Sequence, residues 1–237
     1  MRKIAYQCCE VLRITPWTDD KLILTLLSKE QSLFSALYIV PQKTRRLEKD
    51  NFPNLFQSIQ GALQFHPEGK HKLREFDVLE TPQPLSLHRY GGLCLLSRIL
   101  QLTLAEHYAD PQGYSLWKQH QHGDFDEAQW TELLCDLHFI WGTWPSGQGC
   151  EICGEAQAPL GFRDKWITCT TCHPSAEICS ENLLAWLKLR YLKPKGLALD
   201  PKDAKLLRRH LWRRLPDQIH GDLTFRRLNR DHFKAPC

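Results

Sequence analysis

Two Cys-x-x-Cys pairs, Cys150-Glu-Ile-Cys153 and Cys169-Thr-Thr-Cys172, lie fifteen residues apart in a chain of 237. Two residues between thiolates let one tight turn present both sulfurs at the roughly 2.3 Å reach of a zinc ion, and two such turns close a tetrahedral four-sulfur site. Gly154 follows the first pair, where positive φ is often needed to bend the backbone around a metal. A closed site of this kind keeps no open coordination position, so it holds the chain together and does not catalyse. The expected cofactor is a structural Zn2+ on Cys150, Cys153, Cys169 and Cys172. Two disulfides, or reduced thiols in a loop, are the alternative uses of the same residues, and His173 beside Cys172 could replace a sulfur.

The length suits one or two domains, and 42% hydrophobic residues with eight Trp can build a real core. Ten cysteines would suggest a disulfide framework in a small secreted chain, but no apolar stretch precedes Glu10 and Arg13 to direct secretion. No run approaches the eighteen apolar residues of a membrane span. The expectation is a cytoplasmic protein without membrane contact, in which Cys-x-x-Cys pairs mean metal or redox chemistry. Cys8, Cys9, Cys94, Cys135, Cys179 and Cys237 then read as free thiols.

Net charge is +4, unevenly spread: residues 188–234 hold fourteen Lys/Arg against five Asp/Glu, which leaves the remainder acidic. The C-terminal fifth is therefore a candidate polyanion surface, with a solvated helix face as the plainer alternative.

The first eighty residues carry strand-like runs: Ile4 to Ile14, Leu22 to Leu27, Leu33 to Val40, Gly61 to His66 and Leu73 to Leu79. Four or five short antiparallel strands in that length predict a small β-barrel over residues 1–80. Thr81-Pro82-Gln83-Pro84 breaks the pattern and marks a boundary, after which residues 81–237 read as an all-α domain carrying the zinc motif at 150–172. The fold class is thus α+β and multidomain. Helices are predicted over roughly 86–108, after a capping box of Asp124 and Glu127, over Ser180 to Leu192, and from Asp200-Pro201 onward. On the last helix Ala204, Leu207, Leu211 and Leu215 share one arc, and Lys202, Lys205, Arg209 and Arg213 share another.

No deaminase, zinc-protease, P-loop or nucleophile-elbow signature is present. His120 and His122 read as exposed residues of a polar loop, and capping accounts for Asp124, Asp126 and Glu127 better than a magnesium-dependent nuclease site does. The chain is therefore expected to bind and not to catalyse. Candidate DNA contacts fall in three basic segments: Lys43, Arg45, Arg46 and Lys49; Lys70, Lys72 and Arg74; and Lys205, Arg208, Arg209 and Arg213. Such clusters neutralise phosphates with little base reading. Phe65, Phe76 and Trp212 lie near two of them and could stack on bases or fill core.

This order of barrel, Pro-marked boundary, helices and four-cysteine element resembles the RecO family of bacterial recombination and repair proteins. Glu10-Val-Leu-Arg13 with Asp20-Lys-Leu-Ile-Leu-Thr25-Leu-Leu-Ser28 is similar to the opening strands of that family's OB-fold. Lys43-Thr-Arg-Arg46, Leu55-Phe-Gln-Ser-Ile59 and Leu73-Arg-Glu75-Phe resemble its basic loop and following strands, and Asp222-Leu-Thr-Phe-Arg226-Arg227-Leu its basic C-terminal end. The chain departs from the family where Gln31-Ser32 and Val40-Pro41 stand in place of usual glycines. The resemblance implies a nucleoid-associated mediator that binds single- and double-stranded DNA, promotes annealing, and works with RecR to load RecA onto strands coated by single-strand-binding protein. The alternative is a zinc-stabilised protein-interaction or transcription-associated module without direct DNA binding.

Overall fold

A computed structural model describes residues 4–41, 52–66, 71–82, 86–106, 110–191, 199–217 and 219. Lys43, Arg45, Arg46, Lys49 and Lys70, and the stretch from Asp222 to Leu228, lie outside the described residues. The chain divides into two compact units: the first runs through Asp124, and the second spans Phe125–Gly221. The break therefore falls after Asp124, whereas the sequence reading put a boundary at Thr81–Pro84.

In the first unit, β1 (Ile4–Thr18), β2 (Lys21–Ser28), β3 (Ser32–Ile39), β4 (Ser58–Gln64) and β5 (His71–Glu80) form a closed barrel of order β1-β2-β3-β5-β4. The first strand pairs with two neighbours, β4 along Ile4 to Glu10 and β2 along Cys9 to Thr18. A register slip between Val11 and Arg13 bends it at the crossover, as a bulge does. Closure comes from β3 and β5, which pair in parallel through Ala36 with His71, Leu37 with Lys72 and Tyr38 with Leu73. This corrects the expectation of antiparallel strands throughout. The hairpin partner of β5 is β4, so the only edge left for β5 to close on is β3, which runs the same way. Alternate residues turn inward, among them Val11, Leu24, Leu26, Phe34, Tyr38, Ile59, Leu63 and Leu73. Phe65 and Phe76 pack on this core, the latter edge-on to Tyr38 at 5.5 Å, which takes up two of the three rings considered as base platforms.

Helix α1 (Leu87–Thr103) begins at Ser86, whose side chain accepts from the Arg89 N–H. It joins the barrel where the buried Ser97 hydroxyl donates to the Leu12 carbonyl at 2.8 Å. Helix α2 (Pro111–His120) starts at Asp110, which caps Gln112 and Gly113. The sequence reading extended α1 to roughly 108 and put His120 with His122 in an exposed polar loop. Helix α1 ends at Thr103 and His120 closes α2, so both points are corrected, while His122 does lie in a turn. Asp110-Pro111 is a helix start of the same kind as Asp200-Pro201, hidden by a helix whose buried face is Gly113, Leu116, Trp117 and His120 in place of a leucine stripe. His120 is accordingly buried. Its neighbour His122 is exposed, 3.6 Å from Glu80.

The second unit holds α3 (Glu127–Ile140), β6 (Leu160–Arg163), β7 (Trp166–Cys169), β8 (Glu177–Ile178), α4 (Glu181–Tyr191) and α5 (Pro201–Arg214). The three strands form a sheet of order β7-β6-β8, so this part of the chain is not all-α as expected. The strands are four residues or shorter, and their apolar content merges with the cysteine motif in sequence. Helix α3 is capped by Asp126 and not by Asp124: Asp126 accepts from the Gln129 N–H, and the Gln129 side chain accepts from the Phe125 N–H. Helix α5 keeps its expected polarity, with Leu207, Leu211 and Leu215 buried and Lys202, Lys205, Arg209 and Arg213 exposed. Among the described residues no helix is long and apolar enough to cross a membrane.

Candidate functional site

The β6–β7 hairpin pairs Leu160 with Cys169 and so delivers the second Cys-x-x-Cys pair at the end of a strand. The first pair is a tight turn in which the Gly154 N–H donates to the Cys150 carbonyl at 2.8 Å, with Gly154 at φ +79°. That positive φ is the conformation anticipated for Gly154, and a side chain there would strain the turn. The second turn mirrors it: the His173 N–H donates to the Cys169 carbonyl at 2.9 Å, and the Cys172 N–H points at the Cys169 Sγ at 3.4 Å. Glu151 fastens the two turns together. Its N–H donates to the Ile167 carbonyl at 2.8 Å, while its carboxylate accepts from the Ile167 N–H at 2.7 Å and from Arg214 of α5 at 2.9 Å.

The four Sγ atoms of Cys150, Cys153, Cys169 and Cys172 lie within 4.8 Å of one another, and His173 contributes no atom to the cluster. Cys153 and Cys169 approach to 3.7 Å. That is far longer than a disulfide bond of about 2.05 Å, and close to the ~3.8 Å edge of a tetrahedron built on metal–sulfur bonds of about 2.3 Å. The donor set therefore fits a four-coordinate metal. Its electrostatics point the same way. Burial raises the Cys150 thiol, but backbone hydrogen bonds from Cys153, Cys169 and Ile152 outweigh it and bring the group down to about 6. The Cys172 N–H lowers Cys169 in the same manner. Cys172 is instead pushed up to about 12, first by its hydrogen bonds with Cys153 and Cys169, and Cys153 is raised as well. Without a cation, four sulfurs this close share their protons; a divalent metal would let all four ionise.

Of the other expected site residues, the described ones fall on two elements, β5 of the first unit and α5 of the second. Lys72 and Arg74 lie on β5, where Arg74 Nε and Nη2 both donate to the Gln64 side-chain oxygen, at 3.0 and 2.6 Å. On α5, Arg208 is committed within its own unit: it pairs with Glu127 at 3.0 Å and also donates to the Glu127 carbonyl and to Thr131. Arg209 pairs with Glu177. Lys205 and Arg213 are exposed and make no ion pair with the described residues. Sequence reading missed the supporting role of Glu151 and Arg214. The only hint was an acidic residue inside the first Cys-x-x-Cys and a basic one ending α5, which no local spacing connects.

No protein-family model and no curated protein matches this chain.

Proposed function

We propose that this chain is a non-enzymatic, DNA-binding mediator of recombination and repair, of the kind the RecO family comprises. In this reading it binds single- and double-stranded DNA, promotes annealing, and cooperates with RecR, RecA and single-strand-binding protein at the nucleoid. The observation that carries the reading is the barrel's strand order, β1-β2-β3-β5-β4 with β3 and β5 parallel. This is the order of an OB-fold, a barrel widely used to bind oligonucleotides. The four-sulfur cluster supports it as a structural zinc site, the geometry and softness of four thiolates favouring that ion. Zinc there would tie the two turns into one rigid element and take no part in chemistry.

Lys43, Arg45, Arg46 and Lys49 would carry the phosphate contacts of the barrel, with Lys70, Lys72 and Arg74 as a second basic segment and Lys205 and Arg213 as further cations. The engagement of Arg208 and Arg209 by acidic partners favours a second reading, in which α5 is a structural helix of a zinc-stabilised protein-interaction module. Fluorescence anisotropy with a labelled single-stranded oligonucleotide, titrated over salt, separates them. The mediator reading expects affinity that falls steeply with salt, and replacing the four cations of segment 43–49 by Ala should flatten the log–log slope by about 3. Absence of binding even at low salt would overturn the mediator reading and favour the interaction module.

A further inference from the structure

Trp17 ends β1 with 61% of its surface exposed. It occupies the position that the β1–β2 ladder skips, the register slipping between Pro16 and Thr18. A residue outside the ladder is freed from the in–out alternation of its strand. The turn that follows is braced. The Thr18 hydroxyl donates to the Asp20 carboxylate at 2.8 Å, and the Val40 N–H donates to the Asp20 carbonyl at 2.9 Å. The Lys21 ammonium lies 5.8 Å from the centre of the indole ring, within cation–π reach. A large ring is thus held in water on a fixed turn, with a positive charge above it.

The neighbouring barrel face has matching chemistry. Lys21 pairs with Ile39 across β2 and β3, and Leu37 pairs with Lys72 across β3 and β5. Alternation places these side chains on the outer surface, since Leu22, Leu24, Ala36, Tyr38 and Leu73 take the inner one. Arg13 on β1 and Arg74 on β5 are exposed at the two sides of this face. Strands β2 and β3 contain no carboxylate at all. Asp19 and Asp20 belong to the turn. A face of cations interleaved with apolar surface, bordered by an exposed indole, suits a polyanion that also offers flat apolar rings.

We propose that Trp17 is a base-stacking platform for single-stranded DNA, with Lys21, Lys72 and Arg13 meeting the phosphates on either side. The inference rests on the DNA-binding reading and adds to it a residue that interacts with bases instead of charge. Stacking is sequence-tolerant because every base has a π-face, and one such contact contributes about 5- to 100-fold in affinity.

The test compares a labelled thymidine oligonucleotide with an abasic one of equal length, by anisotropy, for wild type, W17A and W17F. Wild type should prefer the thymidine strand by about 5- to 100-fold. W17A should lose most of that preference while keeping the same salt slope, because no phosphate contact is removed. W17F should keep much of it, and thermal melting of all three proteins should coincide, the side chain being exposed. If W17A binds DNA with undiminished preference for bases, the assignment of Trp17 is overturned while the DNA-binding reading stands. If wild type binds neither strand, the DNA-binding reading itself fails and takes the stacking role with it.

Discussion

Glu10 on β1 and Lys118 on α2 form an ion pair of 3.1 Å in which only one partner is buried: 3% of the Glu10 side chain is exposed, against 37% for Lys118. The Ser58 hydroxyl donates to the second Glu10 oxygen at 2.8 Å, and Glu80 stands 4.0 Å from the ammonium. The asymmetry decides what each substitution does. Lys118→Ala leaves a buried carboxylate with a single hydroxyl partner, a change that costs about 3 kcal/mol. Glu10→Gln frees an ammonium that water already reaches, and should cost less than Lys118→Ala. Urea unfolding of the two variants checks the order.

On the proposed reading of the four-cysteine cluster as a zinc site, loss of the ion should damage the second unit selectively. Protein purified under reducing conditions is expected to carry about one zinc per chain, measured by elemental analysis. Cys150→Ser or Cys169→Ser should abolish it, and circular dichroism should then show loss of helix, since structural zinc contributes on the order of 10 kcal/mol to a small motif. Full folding without any bound metal would contradict the assignment.

His138 and His210 make the second unit sensitive to acid. Both rings are buried. Burial, opposed by a hydrogen bond to the Leu211 carbonyl, brings His138 down to about 4. Burial together with the nearby Arg214 brings His210 down to about 3. Both are therefore neutral in the fold, and the stability this represents is complete above the unfolded value near 6.5. As pH falls below that value the unfolded chain gains protons that the fold refuses, so stability drops by up to ~1.4 kcal/mol per pH unit for each ring until the folded values are passed. His210 stacks on Phe162 with ring centres 3.9 Å apart, and a hydrogen bond with the Asp164 backbone offsets part of the lowering. His210→Phe should keep the stack and remove about half of the histidine slope, read as urea midpoints at neutral pH and near pH 5.

Arg208 and Lys205 should separate stability from binding. The Arg208 side chain is 13% exposed and bridges α5 to α3 through Glu127 and Thr131, so Arg208→Ala should lower stability by about 1 kcal/mol through its lost hydrogen bonds. Lys205→Ala should leave the unfolding curve in place and lower polyanion affinity and its salt slope. Paired melting and anisotropy measurements check both.

What this sequence determines by itself is whatever short-range chemistry encodes. The Cys-x-x-Cys spacing and Gly154 specify two tight turns that each present a pair of sulfurs, and Asp200-Pro201 starts a helix because cap and fixed φ act within one turn. Alternation along Ile4 to Ile14, Leu22 to Leu27 and Leu33 to Val40 likewise made the barrel strands legible, since period-two burial is a local pattern. Only the tertiary structure decided the parallel closure of β3 on β5, the burial of Glu10 against Lys118, and the use of Arg208 and Arg214 as internal struts. Each of these joins residues tens of positions apart. An arginine on a helix face reads the same in sequence whether it meets phosphate or a carboxylate from another segment, because its partner is set by packing and not by spacing.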